Sequence, residues 1–358
     1  MSGARPTARG RGAVSNASGR FESMSREGFD DGWTELDETP APLRTTLTAE
    51  KARVIIARNA SPDVGFDRSI NPYRGCEHGC IYCFARPTHA YMGLSPGLDF
   101  ESRLYFKPEA ARLLERELSK PGYVPEMIHM GANTDPYQPQ ERRLRITRQV
   151  LEVMQRFRHP VSVLTKSALV ARDIDILGPM AADGLARAAI SVTTLDRALA
   201  RAMEPRAATP ERRLWAIRQL TAAGVPTTVM FAPVIPGLND HEMEAVLHRA
   251  AEAGATGAGY VMLRLPLEIK DLFREWLDEA RPDRAARVMS LVRQMRGGKD
   301  YDAQWGKRMK GDGPIADLTR RRFEIAKRRF GFNTERAPLD VTKFKVPPRA
   351  GDQMDLFG

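Results

Sequence analysis

Every cysteine of this 358-residue chain lies within eight positions, Cys76, Cys80 and Cys83, spaced C-x3-C-x2-C. They sit inside Asn71-Pro72-Tyr73-Arg74-Gly75-Cys76-Glu77-His78-Gly79-Cys80-Ile81-Tyr82-Cys83-Phe84-Ala85-Arg86-Pro87. Random placement would bring three cysteines this close roughly once in a thousand chains, so the cluster asks for a local cause. A shared metal is such a cause. Gly75 and Gly79 permit the tight reversal that turns three thiolates toward one centre, and soft thiolates select zinc or an iron–sulfur cluster. A four-iron centre ligated wholly by cysteine takes four of them, so a set of three leaves one iron open to an outside ligand. The competing reading is a zinc knot completed by His78 or His89. Zinc layouts, however, usually draw two ligand pairs from separated elements. A disulfide fits worse, because the number is odd and no secretory-type segment precedes the cluster.

The spacing C-x3-C-x2-C with an aromatic residue just before the last cysteine resembles the signature of the radical S-adenosylmethionine (radical SAM) superfamily. The wider phrase, with Thr134-Asp135-Pro136-Tyr137-Gln138-Pro139 downstream, resembles the branch that contains the spore photoproduct lyases, over about residues 60–335. The resemblance implies a [4Fe-4S] cluster on Cys76, Cys80 and Cys83, whose open iron chelates the amino and carboxylate groups of S-adenosyl-L-methionine (SAM). It implies reductive cleavage of SAM to methionine and a 5′-deoxyadenosyl radical that takes hydrogen from a substrate. It also implies a partial (βα)6 barrel and an electron donor of the flavodoxin or ferredoxin kind.

The elements that must position these groups follow from periodicity. Short apolar runs at Ser69–Tyr73, Met127–Met130, Val161–Leu164, Ala189–Val192, Thr227–Phe231 and Tyr260–Leu263 read as buried strands. Between or after them, Lys107–Ser119, Glu141–Phe157, Ile174–Leu177, Glu211–Ala223, Glu242–Glu252 and Leu267–Ala280 read as helices. Six alternations predict an α/β fold with a parallel sheet covered by helices, too few for a closed eight-stranded barrel. Ligands of such sheets sit at the carboxyl ends of the strands, where the cysteine loop must also lie.

The same rule selects the other site candidates. After Met130 come Asn133, Thr134 and Asp135; by the resemblance they hold the SAM amino group and ribose, Thr134 foremost, although Asn, Thr, Asp and Pro are also ordinary turn residues. Lys166 ends the third strand, where a cation can pair with the SAM carboxylate. Ser191 and Thr193 share one face of the fourth strand, and Ser191 matches a family serine that contacts SAM. Tyr82 and the apolar segment Ala232–Asp240 are implied walls for adenine. Arg206, Arg212 and Arg213 are not distinguished from a solvated helix face. One departure concerns the photoproduct lyases, which use a further cysteine at the end of the second strand to return hydrogen to the product. Gly131, Ala132 and Asn133 stand there instead, leaving Tyr91, Tyr137 or Tyr260 as substitutes.

The flanks differ from this core, taken as residues 46–280. Residues 1–45 are Gly-, Ser- and Arg-rich, too poor in apolar surface to order, and read as a mobile basic tail. Residues 281–346 read as a basic helical extension, followed by a tail at 347–358. From 281 to 349 the chain carries 19 Lys/Arg against 8 Asp/Glu, within a net charge of +10. The clusters Lys307-Arg308-Met309-Lys310, Arg320-Arg321-Arg322 and Lys327-Arg328-Arg329, interleaved with Trp305, Phe323, Phe330 and Phe332, suit a phosphate-tracking, base-stacking surface. An amphipathic helix burying Leu318, Phe323, Ile325 and Phe330 would read the same way. No apolar run approaches the 18 residues of a membrane span, and free thiols point to a reducing cytoplasm. Two functions follow: a radical SAM enzyme acting on an unidentified substrate such as nucleic acid, or a zinc- or iron–sulfur-bearing nucleic-acid-binding protein without catalysis.

Overall fold

The computed structural model describes residues 10–22, 43–332 and 337–348. In chain order its strands are β1 (Thr46–Ala49), β2 (Ile56–Arg58), β3 (Arg68–Ile70), β4 (Tyr73–Arg74), β5 (Arg103–Phe106), β6 (Ile128–Met130), β7 (Val161–Thr165), β8 (Ala186–Ser191), β9 (Thr227–Val234) and β10 (Gly257–Met262). The large sheet runs β10-β9-β8-β7-β6-β3-β2. Strands β3, β6, β7, β8, β9 and β10 are mutually parallel, and β2 adds an antiparallel edge to β3. Spatial order equals chain order, so each crossover steps one strand the same way, as right-handed βα units must. The winding stops after six strands without a β10–β3 pair, which is the partial (βα)6 barrel that the alternation predicts.

Alternation along the strands separates the two faces. Met130, Val161, Val163, Ala188, Ile190, Val229 and Phe231 join the core with helix residues such as Leu113, Val150, Leu177, Ile217 and Val246. Their neighbours, among them His129, Ser162, Leu164 and Ser191, turn to the other side of the sheet by the two-residue period. The helix expected over Glu141–Phe157 is broken into Glu141–Leu144 and Ile146–Arg156, with Arg145 left-handed at φ 53°. The cause is local: the buried Glu141 carboxylate accepts the Thr147 N–H at 3.0 Å and the Arg148 N–H at 3.3 Å, serving the free amides that open the second helix.

Two expectations about the flanks are corrected. Residues 10–22, placed by composition in a mobile tail, are packed against the barrel: Arg11 and Ala13 are buried. Their anchors are polar groups far away in sequence, which composition does not register. Residues 1–9, 23–42 and 349–358 lie outside the described residues. The basic extension contains helices Pro282–Gln294 and Gly313–Arg329. The second buries Ala316, Thr319, Phe323 and Ala326 but leaves Leu318 59% and Ile325 57% exposed, so the expected apolar stripe holds at Phe323 and, half-buried against the core, at Phe330, but not at Leu318 or Ile325. Between the two helices the chain runs beside β10 (Met262 N–H to Met309 O, 2.9 Å). Gly306 N–H and Arg308 then reach Asp63, in the connection between β2 and β3, and bridge the open side of the barrel.

Candidate metal centre

The cysteine loop leaves β3, makes the short strand β4 and turns at the carboxyl ends of the parallel strands. Gly75 and Gly79 adopt φ of 73° and 69°, and a Cβ on Gly79 would lie 2.6 Å from a Glu101 oxygen, so glycine is required there twice over. The loop is closed by Gly79 N–H to Cys76 O (3.2 Å), Cys83 N–H to Cys80 O (3.2 Å) and Cys76 N–H to Phe100 O (3.0 Å).

Its hub is Arg86, a fully buried guanidinium that donates to the carbonyls of Cys80 (2.9 Å), Gly79 (3.1 Å), Pro96 (3.0 Å) and Gly97 (3.0 Å). Its counter-charge is Glu101, also fully buried, at 2.5 Å. The Glu101 carboxylate in turn accepts the N–H groups of Gly12 and Ala13, both at 2.8 Å. One carboxylate therefore fastens the N-terminal strap and the cysteine loop together. The strap passes so close that a Cβ on Gly12 would come 1.8 Å from the Gly79 oxygen. Further along, Asn16 and Asp99 exchange two hydrogen bonds (3.1 and 2.9 Å). Sequence reasoning missed Arg86 as a hub and Glu101 altogether. Arg86 stands inside the motif, but only contact reveals its role.

Burial pushes all three thiols up from their ordinary pKa. Unligated they stay protonated, and the positive charge of a bound metal is what would hold them as thiolates. Lys166 acts in the same direction on Cys80 and Cys83. Among the described residues, no three His, Cys, Asp or Glu side chains converge where a single ion would sit. Each zinc-ligand candidate turns one ring nitrogen to another protein group. His78 Nδ1 faces Asp135 at 3.3 Å, and His89 Nε2 meets the Arg103 carbonyl at 3.0 Å, where burial lowers its pKa to about 4. Three soft thiols on one loop fit an iron–sulfur cluster with three cysteine ligands.

Two of the three polar side chains after β6 are bonded within the protein. Thr134 donates its hydroxyl to the Tyr73 carbonyl at 2.9 Å, and the Asn133 N–H donates to Asn71 Oδ1 at 3.0 Å. Asp135 accepts from the Thr165 hydroxyl (2.6 Å), the Lys166 N–H (2.8 Å) and the Tyr137 N–H (2.9 Å). Burial alone would raise its pKa, but His78 and these donors outweigh it and hold the carboxyl at about 2. Gln138, buried, grips the loop from both sides: its amide donates to Gly75 O at 3.2 Å and accepts the Glu77 N–H at 2.9 Å. Of the three candidates, Thr134 and Asp135 thus spend their side chains on protein, and Asn133 alone keeps its amide unspent among the described residues.

On the other side of the loop, Tyr82 donates its hydroxyl to Glu204, and Glu204 pairs with Arg213, the acid and arginine being buried. Arg213 also donates to the Ser191 carbonyl (3.1 Å) and the Thr193 hydroxyl (3.4 Å). Tyr82, Ser191 and Thr193 are thereby brought together through a charge pair that strand and motif patterns do not reveal. Glu204 has its pKa raised by burial, with Arg213 opposing. The Lys166 ammonium lies 5.7 Å from the centre of the Tyr82 ring and, among the described residues, has no carboxylate partner. The candidate tyrosines for hydrogen return face elsewhere: Tyr137 donates to Asp173 (3.0 Å), Tyr91 is 70% exposed against Phe21, and Tyr260 packs on Phe323.

A partial (βα)6 barrel with a C-x3-C-x2-C loop at the carboxyl ends of its strands defines a class of iron–sulfur enzyme scaffold. The chain belongs to the Radical SAM superfamily, whose family model matches residues 70–250. Membership makes it an enzyme of radical chemistry and implies a [4Fe-4S] cluster and SAM. An uncharacterised protein of Mycobacterium tuberculosis is 37% identical over 259 residues, 71% of this chain and 76% of the relative. One of Methanocaldococcus jannaschii is 27% identical over 173 residues, 48% of this chain and 62% of its own. Among solved structures, a spore photoproduct lyase complexed with dinucleoside spore photoproduct is similar with a TM-score of 0.58, at 14% identity and 79% coverage of each chain. That likeness is one of fold.

Proposed function

We propose that the protein cleaves SAM reductively and uses the resulting 5′-deoxyadenosyl radical to take hydrogen from a substrate. The observation that carries this reading is the placement of three cysteines, Cys76 and Cys80 buried and Cys83 half-buried, at the strand ends beside an ammonium, Lys166, without a counter-charge among the described residues. A [4Fe-4S] cluster on Cys76, Cys80 and Cys83 would supply an open iron for the amino and carboxylate groups of SAM and the electron that breaks its C–S bond. The chain's own work is to bind, orient and exclude water. Lys166 pairs with the carboxylate of the bound sulfonium, and the Asn133 amide is the neutral donor and acceptor left for its polar groups. The Tyr82–Glu204–Arg213 chain fixes the aromatic ring beside Cys80 and Cys83, giving adenine a rigid wall. Helix Ile269–Ala280 and the strap close the loop from solvent with Leu272, Phe273, Trp276 and Ala13. A cluster of this kind suits a reducing cytoplasm.

Nucleic acid is the substrate class supported by the basic extension. Arg321, Arg329 and Lys310 are exposed and have no ion-pair partner among the described residues, and Trp305 is 58% exposed. Arg320 and Arg322, by contrast, are engaged by Asp317 and Glu244. Hydrogen return by a cysteine outside the cluster is closed to this chain, since it has none.

The test is anaerobic reconstitution of the wild type beside Cys80→Ala. The wild type should hold four irons, turn brown and release 5′-deoxyadenosine from SAM under dithionite, and the variant should do neither. A colourless protein holding one zinc and leaving SAM intact would instead support the non-catalytic nucleic-acid-binding reading. Binding of single-stranded DNA or RNA should weaken steeply with salt and in Arg321→Ala/Arg329→Ala. Absent or salt-independent binding would remove nucleic acid from the proposal.

A further inference from the structure

A cleft of about 830 Å³ lies among the connections that follow β6, β7 and β8, lined by residues within 137–142, 167–172 and 206–215 together with Glu77 and His78. Among its described lining residues are none of the three cysteines, nor Lys166, Ser191 or Thr193, so it is separate from the position where SAM would meet the cluster. Its volume suits one small molecule, for which sites run to roughly 300–1,000 Å³.

The charges on its wall do not balance. Arg142, Arg172, Arg206 and Arg212 share it with one carboxylate, Glu77. That carboxylate is already spent: it pairs with Arg206 and accepts the Thr45 hydroxyl at 2.6 Å and the Gln140 amide at 2.8 Å. Arg172 is held by Glu141 and Asp173 at 2.8 and 2.7 Å. Arg142 and Arg212 are exposed and have no carboxylate partner among the described residues. Two guanidinium groups are thus left over for an anion, and their planar forks match phosphate oxygens two at a time.

Much of the remaining wall is apolar. Pro139, Ala168, Leu169, Ala207 and Ala208 contribute small side chains, and Arg212 lies over the Trp215 ring at 4.1 Å from its centre. A guanidinium stacked on one aromatic ring can take a second planar ring on its other face. A guest that satisfies both halves of the wall carries a phosphate and a flat ring.

Independently of the catalytic reading, we propose that this cleft binds a nucleoside phosphate, Arg142 holding the phosphate and the Arg212–Trp215 stack carrying the base. A nucleic-acid strand offers the same groups, but it is bound along a groove that tracks successive phosphates. Here two unmatched cations and one stack amount to the contacts of a single nucleotide.

The test is calorimetric titration of the reconstituted holoenzyme with AMP, without reductant and with SAM saturating so that the cofactor site is filled. AMP should bind, and adenosine and inorganic phosphate should each bind more weakly. Arg142→Gln/Arg212→Gln should weaken AMP binding about tenfold or more, the worth of a charge-assisted hydrogen bond. Arg212→Lys, which keeps the charge and loses the stack, should erase the preference for AMP over ribose 5-phosphate. Arg321→Ala/Arg329→Ala should bind AMP as the wild type does. Absence of AMP binding at millimolar concentration, equal affinity in the wild type and Arg142→Gln/Arg212→Gln, or displacement of AMP by SAM overturns the proposal. So does a single-stranded oligonucleotide that binds more tightly than AMP and is lost in the same double variant, since the cleft would then belong to a strand-binding groove.

Discussion

Replacing Glu101 with alanine leaves the Arg86 guanidinium fully buried without its counter-charge. Its four carbonyl partners remain, but carbonyl dipoles do not neutralise a charge that has lost its solvent. Removing one member of a buried pair typically costs about 3–5 kcal/mol. The Gly12 and Ala13 N–H groups lose their acceptor as well, which would add about 1–3 kcal/mol each if they stayed buried. The strap can peel into water, so that second cost is relieved and the stranded guanidinium sets the total at about 3–5 kcal/mol. Against a usual stability of about 5–15 kcal/mol this is a large fraction. Denaturant melts of the cluster-free protein measure it, and iron and sulfide content after anaerobic reconstitution reads the state of the loop. Glu101→Ala should show both a lower midpoint and poor iron retention. Adding Arg86→Met should recover stability by removing the stranded charge, yet iron retention should stay low, because the carbonyls of Gly79 and Cys80 lose their donor. Glu101→Ala within about 1 kcal/mol of wild type, with full iron, would refute the hub.

Other consequences are open to measurement. Lys166→Met should leave iron content unchanged and weaken SAM binding by about 10- to 100-fold, the worth of one charge-assisted hydrogen bond; unchanged binding by calorimetry would remove Lys166 from the site. Gly12→Val places side-chain atoms against the Gly79 oxygen, so the strap should lift and the cluster bleach faster in air, with new proteolytic cuts within residues 10–22; air stability equal to wild type would mean that the strap shields nothing. Burial holds His129 and His159 at about 4, with Arg187 and Arg68 respectively disfavouring their protonation. Between pH 6.5 and 4 the unfolded chain therefore binds a proton at each of these positions, and another at His89, that the folded chain refuses. Stability is complete above pH 6.5 and falls with decreasing pH by up to about 1.4 kcal/mol per unit for each histidine. Urea melts from pH 7 to 4.5 should show this slope, and His159→Gln should flatten it; a level profile would contradict the burial argument.

Much of the barrel was legible because most of its strands lie within or beside a short apolar run and most of its helices carry a stripe on one face, local patterns that packing preserves. The break at Arg145 was not legible, since it depends on the Glu141 carboxylate reaching two amides of the following turn. The strap was misread for a related reason. Its glycines and serines resemble a solvated tail, and only Glu101 and Asp99, nearly ninety positions away, give its backbone partners worth ordering for. At the site, residue types at the strand ends marked the right region but not the division of labour within it. Thr134 and Asp135 satisfy buried donors and acceptors of the protein itself, which leaves the Lys166 ammonium and the Asn133 amide without a hydrogen-bond partner among the described residues.

The spacing of three cysteines, with the glycines beside them and the aromatic before the last, was enough by itself to expect soft ligands shared by one centre, with a fourth position left to another ligand. That expectation is local and survives any arrangement of the rest. Which acid balances Arg86, which arginine balances Glu204, and which cations are left without a partner were decided only in three dimensions. Buried charge must be paired by whatever the fold brings within reach, and that choice is made across long stretches of chain that no nearby spacing records.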